Sequence, residues 1–247
     1  MTKKHTFEAR CINFEEILAE ASLSRMLTVV KRQSMTQEAH RRTDPSYKGN
    51  EDYSDEKKEF CPAYYGQFTE WFAEKFLNYY GHKFNIAGVE MIDSVGSSED
   101  DLGTDGRGIT MKEGKHHSIS SITFKEGSKV HIQVKGSLNP TKEHKANDGS
   151  RLPNFIMNAA TNAIVSGHAY DQRYMLFTTA AGVHYKLNQM SNGILEVINY
   201  KKIKKLVDKD IAFLNSMRKV VGLEALPYPE VRMDPEAEWN TSTSVDL

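Results

Sequence analysis

Eight residues, Lys129 to Gly136 (KVHIQVKG), place the strongest constraint on how this chain can fold. Side chains along a strand alternate between its two faces. Val130, Ile132 and Val134 therefore share one face, suited to apolar packing. Gln133 and Lys135 project from the other, with α-carbons about 6.6–7 Å apart. A lysine on a strand that otherwise reads as buried is costly unless it meets an anion. The run RYMLFTTA (173–180) is almost continuously apolar and reads as a central strand covered on both faces. Such strands need helices above and below them, which makes the expected class α/β with a mixed central sheet flanked by helices.

The remaining pattern fits that class. Residues 14–30 carry Phe14, Ile17, Leu18, Met26, Leu27 and Val30 at helical spacing, with Asn13 as a cap. The stretch from Lys31 to Phe60 is polar, of mixed charge, and reads as a loop or linker. In residues 64–80, Phe68, Trp71, Phe72, Phe76 and Tyr79 form one helical face, with Gly81 as the stop. FNIAGVEMI from Phe84 and the segment Gly106–Met111 read as strands, separated by an acidic loop at Ser97–Asp101. A hairpin turn is expected near Gly127, a polar loop at Asn139–Ser150, and a helix from Pro153 to His168. VHYKLN (183–188) suggests a further strand, and the region from Ile194 a strand followed by a helix, before a polar tail. The expected division is a helical N-terminal extension and linker over 1–61, a main domain over 62–215, and a helix end and tail over 216–247.

Three polar positions stand beside this framework. Asp105 lies between small residues in Gly103-Thr104-Asp105-Gly106, where a ligand can approach the backbone closely. Gln133 and Lys135 share a strand face. Glu70 comes from a helix whose other positions are aromatic, with Glu74 one turn away. Each has an ordinary reading: Asp105 as a turn residue, Lys135 as a guard on an edge strand, Glu70 as a solvated helix face. Read together, they supply the parts of a metal-dependent phosphodiesterase. Two carboxylates at about 4 Å repel by roughly 4 kcal/mol at an effective dielectric near 20, and a divalent cation removes that penalty. Magnesium takes hard oxygen ligands and keeps several waters, so two carboxylates and a main-chain carbonyl suffice.

Gly-Thr-Asp-Gly followed by a strand Gln-Val-Lys resembles the PD-(D/E)xK nuclease superfamily, in the Mrr-like and helicase-associated variant with Gln in the acidic position. Gly66-Gln67-Phe68-Thr69-Glu70 is similar to the helical G-x-x-x-E of that variant, and LFTTAAGVHY to the segment downstream of its lysine. The resemblance covers about residues 62–215. It implies a restriction-endonuclease-like fold and a DNA endonuclease, favoured over an exonuclease, that uses Mg²⁺ or Mn²⁺. Glu70, Asp105 and the Val134 carbonyl would hold the metal. Lys135 would be the catalytic lysine, and Gln133 would position the attacking water or the lysine. Gln133 departs from the usual Asp or Glu and brings no negative charge. That departure keeps a second reading open: a non-catalytic nucleic-acid-binding or assembly protein on the same fold.

Partners must be argued locally, because 32 basic and 33 acidic residues nearly cancel. Arg107, Lys112 and Lys142 flank the expected site and suit phosphate contacts, which position DNA without reading its sequence. A homodimer, or a larger nuclease–helicase assembly, remains open. No apolar run approaches the roughly 20 residues of a membrane span. No secretory signal is visible, and two cysteines, Cys11 and Cys61, make no disulfide framework. The expected setting is therefore cytoplasmic, away from membranes.

Overall fold

The computed structural model describes residues 12–43, 60–92, 103–116, 119–145, 152–166, 169–191, 194–208 and 210–227. The acidic loop at Ser97–Asp101, most of the linker beyond Thr43 and the tail from residue 228 lie outside the described residues. The strands are β1 (Ile86–Met91), β2 (Gly106–Thr110), β3 (Gly114–His116), β4 (Ile119–Lys135), β5 (Glu143–His144), β6 (Ala169–Thr178), β7 (Gly182–Val183) and β8 (Leu195–Ile198). The main sheet has the order β1-β2-β4-β6-β8, with β3 also paired to β4. Its β1, β2 and β3 pairings are antiparallel, whereas β4, β6 and β8 run parallel. β5 and β7 form a separate small pair. The class is thus α/β with a mixed central sheet, as the alternation and the buried run at 173–180 predict.

The parallel step from β4 to β6 needs a crossover. The helix Leu152–Ser166 supplies it. With α1 (Phe14–Leu18), α2 (Leu23–Gln33), α3 (Gln37–Thr43) and α4 (Pro62–Tyr80) before it, this helix is α5; α6 (Tyr185–Met190), α7 (Tyr200–Val207) and α8 (Ile211–Val220) come after it. Val130, Ile132, Val134, Met175, Phe177 and Ile198 face one apolar core, shared with α1, α2, α4, α7 and α8. Tyr174, Leu176 and Leu195 face a second core beneath α5 and α6. Phe72 and Phe76 of α4 sit edge-on to Phe177 and Phe213, with ring centroids 5.4–6.2 Å apart. The 62–80 helix thus packs as its aromatic spacing predicts.

Several expectations change. The 14–30 helix is two helices, broken at Ala19–Ser22. Residues 12–30 are not an appendage, since Ile17, Leu18, Leu23 and Val30 are fully buried in the same core as α4 and α8. The polar stretch after Lys31 contains α3, anchored by buried Ala39. VHYKLN is not a strand: only Gly182–Val183 pairs, and Tyr185 starts a short helix whose buried residue is Leu187. Gly127 is not a hairpin turn. β4 runs through it in one strand, and its pairing with β6 shifts register between Phe124 and Lys129. Gly127 has φ +77, so this is a bulge that needs the left-handed freedom of glycine. The C-terminal helix also divides, at Asp208–Asp210, where Asp210 caps α8 by accepting from Phe213 N–H at 2.8 Å.

One buried cation ties the sheet together. Arg173 on β6 makes two 2.8 Å bonds to the Glu196 carboxylate on β8. It also donates to the carbonyls of Phe84 and Asn85 before β1 and lies 4.2 Å over the Phe124 ring of β4. Among the described residues no helix is long and apolar enough to cross a membrane. Truncating one partner of a buried pair costs about 3–5 kcal/mol. Arg173→Ala should therefore lower the unfolding free energy by about that amount in urea titrations.

Candidate active site

The site forms where the ladder between β2 and β4 runs out. The last register pair there is Gly106 with Ile132. Just before it, Asp105 N–H donates to the Ile132 carbonyl at 2.8 Å, and the Asp105 carbonyl accepts from Ile92 N–H at 2.8 Å. The next main-chain donor on β4, Val134 N–H, finds no strand partner on that side. It donates to Asp105 Oδ2 at 2.6 Å instead. Gln133 Nε2 donates to the same carboxylate oxygen and, at 3.3 Å, to the Val134 carbonyl. Asp105, Gln133 and Val134 are thus in direct contact.

The electrostatics are unusual for a structural carboxylate. Burial pushes the Asp105 carboxyl from 3.8 up to about 6, against the opposing pull of Val134 N–H, Gln133 and the Lys135 charge. Gln133 is only 6 % exposed. Its Oε1 is buried without a hydrogen-bond partner. A buried acceptor left unsatisfied costs about 1–3 kcal/mol, so such atoms call for an explanation. The Asp105 carboxylate, Gln133 Oε1 and the Val134 carbonyl are all hard oxygen donors, a set that fits Mg²⁺ or Mn²⁺. Among the described residues no three His, Cys, Asp or Glu side chains group as metal ligands. Among the described residues a cation here would draw on amide and main-chain oxygens beside its carboxylates.

Lys135 ends β4 and is half-buried. Its carbonyl accepts from Thr178 Oγ1 at 2.7 Å and from Thr179 N–H at 3.4 Å. Because the Thr178 hydroxyl proton is spent on Lys135, His144 Nε2, 2.8 Å away, must be the donor in the His144–Thr178 contact. Gly136 comes next, at closest approach to α4. A β-carbon there would stand 2.8 Å from the Tyr65 ring and 2.9 Å from Thr69 Oγ1. The Tyr65 hydroxyl donates to the Ser137 carbonyl at 3.0 Å. Burial pushes that phenol up to about 12, so it remains a donor.

These contacts fix the level of α4 against the end of β4. Glu70, half-buried, immediately follows Thr69 and lies at that level. Glu74 is one turn, about 6 Å, farther along, and its carboxylate pairs with Lys75 at 2.8 Å. Arg107 is exposed two residues beyond Asp105 and opposite His131. Lys142 is exposed, and its carbonyl accepts from Ala181 N–H at 3.0 Å, just past the end of β6. Lys112 is not brought to the site. It lies beyond the far end of β2, at Asn85, roughly 20 Å along the strand direction from Asp105. Sequence reasoning missed Thr178, Thr179 and His144, which hold the main chain of Lys135. Only the adjacent threonines at the end of an apolar run could have signalled them.

No protein-family model, curated protein or solved structure matches the chain.

A carboxylate whose folded-state value is raised makes the fold more stable when protonated. That contribution is fully present below 3.8 and is lost as pH rises through about 6. Above that range the ionised Asp105 costs about 3 kcal/mol at most. In EDTA at pH 8, Asp105→Asn should stabilise the protein by about 1–3 kcal/mol. The gain should vanish at pH 4, as read by chemical denaturation at both pH values.

Proposed function

We propose that this chain is a metal-dependent nuclease of restriction-endonuclease-like fold that hydrolyses phosphodiester bonds in DNA, as an endonuclease. The observation that carries the reading is the meeting of a desolvated carboxylate, Asp105, with the strand that bears Gln133 and Lys135. The buried, unpartnered Gln133 Oε1 beside it adds support. Asp105, Glu70, Gln133 Oε1 and the Val134 carbonyl would hold Mg²⁺ or Mn²⁺. When bound, such an ion supplies charge neutralisation and Lewis acidity toward a phosphate oxygen.

The chain's own groups divide the remaining work. Asp105 is held in place by Val134 N–H, so a ligand can bind without reordering it. Lys135 presents its ammonium to the negative charge that builds on phosphorus as water adds and the P–O ester bond breaks. Its main chain is fixed by Thr178 and Thr179, so the charge is aimed in advance. Gln133, bonded to Asp105, orients the carboxylate toward the same space.

A second reading, binding without cleavage, draws on one feature: the Gln133 amide donates to Asp105 and compensates that carboxylate without any ion. Incubation with supercoiled plasmid separates the two. The nuclease reading expects nicking or linearisation with Mg²⁺ or Mn²⁺ and none in EDTA. Lys135→Ala, Asp105→Ala and Glu70→Gln should each lower the rate by about 10²-fold or more, while Glu74→Gln leaves it near wild type. DNA that is bound but never cut with either metal would establish the second reading.

A further inference from the structure

Lys142 and the segment Asn199–Tyr200, which leads directly into Lys201 and Lys202, come from distant parts of the chain and meet at one two-residue turn, Ala180–Ala181. Ala181 N–H donates to the Lys142 carbonyl at 3.0 Å, and Tyr200 N–H donates to the Ala180 carbonyl at 2.9 Å. Asn199 Nδ2 donates to the Ala181 carbonyl at 2.7 Å. The turn directly follows Thr178 and Thr179, the residues that hold the Lys135 carbonyl. All three lysines are therefore rigidly referenced to the candidate site, and all three are exposed.

Their placement runs against helix electrostatics. Lys201 and Lys202 occupy the first turn of α7, which has no acidic residue there. A helix N-terminus carries partial positive charge and disfavours cations. Asn199 Oδ1 already caps that end by accepting from Lys202 N–H at 3.1 Å, so an anion at the surface gains from the lysine ammonium groups. Lys204 plays no part, since Asp208 holds its ammonium at the far end of the helix. Lys202 Nζ donates one bond to the Val197 carbonyl at 2.6 Å and keeps its other protons for a ligand. Glu143, beside Lys142 on β5, is an acidic residue at the rim and is exposed. Farther along the same chain segment, Tyr185 opens α6 and is 60 % exposed, its ring set against His184 with centroids 4.5 Å apart. Exposed cations at the turn and an exposed aromatic ring four residues beyond it suit a polyanion that carries its own flat rings.

We propose that this rim, Lys142, Lys201 and Lys202, binds the sugar–phosphate backbone of a nucleic-acid strand and leads it to Lys135, with Tyr185 stacking an unpaired base. The direction of the path rests on the nuclease reading; the binding surface itself is tested without cleavage. The full chain in EDTA is titrated into a fluorescein-labelled single-stranded DNA of about 20 nucleotides, across a salt series. Charge reversal at all three positions, Lys142→Glu, Lys201→Glu and Lys202→Glu, should weaken binding at least tenfold. It should also reduce the slope of log affinity against log salt by about 2. Tyr185→Ala should weaken single-strand binding about fivefold or more, and duplex binding less. Lys112→Glu, at the far end of β2, should change nothing, and circular dichroism checks that each variant is folded.

Unchanged affinity and slope in the triple variant would overturn the rim, as would an equal loss in Lys112→Glu. So would a wild-type protein that ignores the oligonucleotide but binds phosphatidylserine vesicles. Unchanged affinity in Tyr185→Ala would overturn the stacking assignment. The two proposals fail separately. Binding lost in the triple variant, with no cutting by wild type in Mg²⁺, keeps the rim and removes the nuclease. Cutting by wild type, with normal binding and cutting by the triple variant, does the reverse.

Discussion

The sheet is organised around a guanidinium that cannot leave. Arg173 spends its donors on Glu196 and on the Phe84 and Asn85 carbonyls, while its flat face covers Phe124. Those partners belong to β8, to the turn before β1 and to β4. A buried charge is tolerable when its protons are satisfied, and once satisfied it penalises every arrangement that separates its partners. Arg173 sits near the middle of β6, five residues before Thr178 and the candidate site. The strands are thereby held in register just short of the end that carries the site.

At the end of β4 the same sheet accepts an imbalance. Val134 N–H loses its strand partner and takes a carboxylate, burial raises that carboxylate, and the neighbouring amide keeps an oxygen without a partner. The raised carboxylate and the unpartnered oxygen work against stability, and they adjoin each other across the Asp105–Gln133 bond. A paired clamp and a strained strand end in one sheet is the division expected of a scaffold and a site.

Local rules carried the reading of the sequence where burial and spacing agree. The aromatic spacing over 64–80, the alternation over 129–136 and the apolar run at 173–180 all became the elements expected. Local rules failed where one long-range contact decides the structure. A single buried alanine, Ala39, anchors a helix in a polar stretch. Val183 and Tyr185 favour a strand, but Leu187 has a place in the core beneath α5 that a helix reaches. Gly127 signals a turn equally well whether the chain reverses or merely bulges. The threonines behind Lys135 were hard to read because their partner is a carbonyl, which every residue possesses, and His144 because it acts through the Thr178 hydroxyl.

The first and last helices of the described chain close one core, and this has a consequence for the order of synthesis. Leu23 N–H donates to Asp208 at 2.8 Å, and Arg218 donates to the Leu18 carbonyl at 2.9 Å. These bonds span 185 and 200 positions of sequence. At roughly 5–20 residues per second, a ribosome needs on the order of 10–40 s to separate the first partner's emergence from the second's. During that interval α1 and α2 can meet α4 but lack the cover that α7 and α8 supply. The sheet that carries Asp105 and Lys135 therefore acquires its full covering only when translation has passed residue 218.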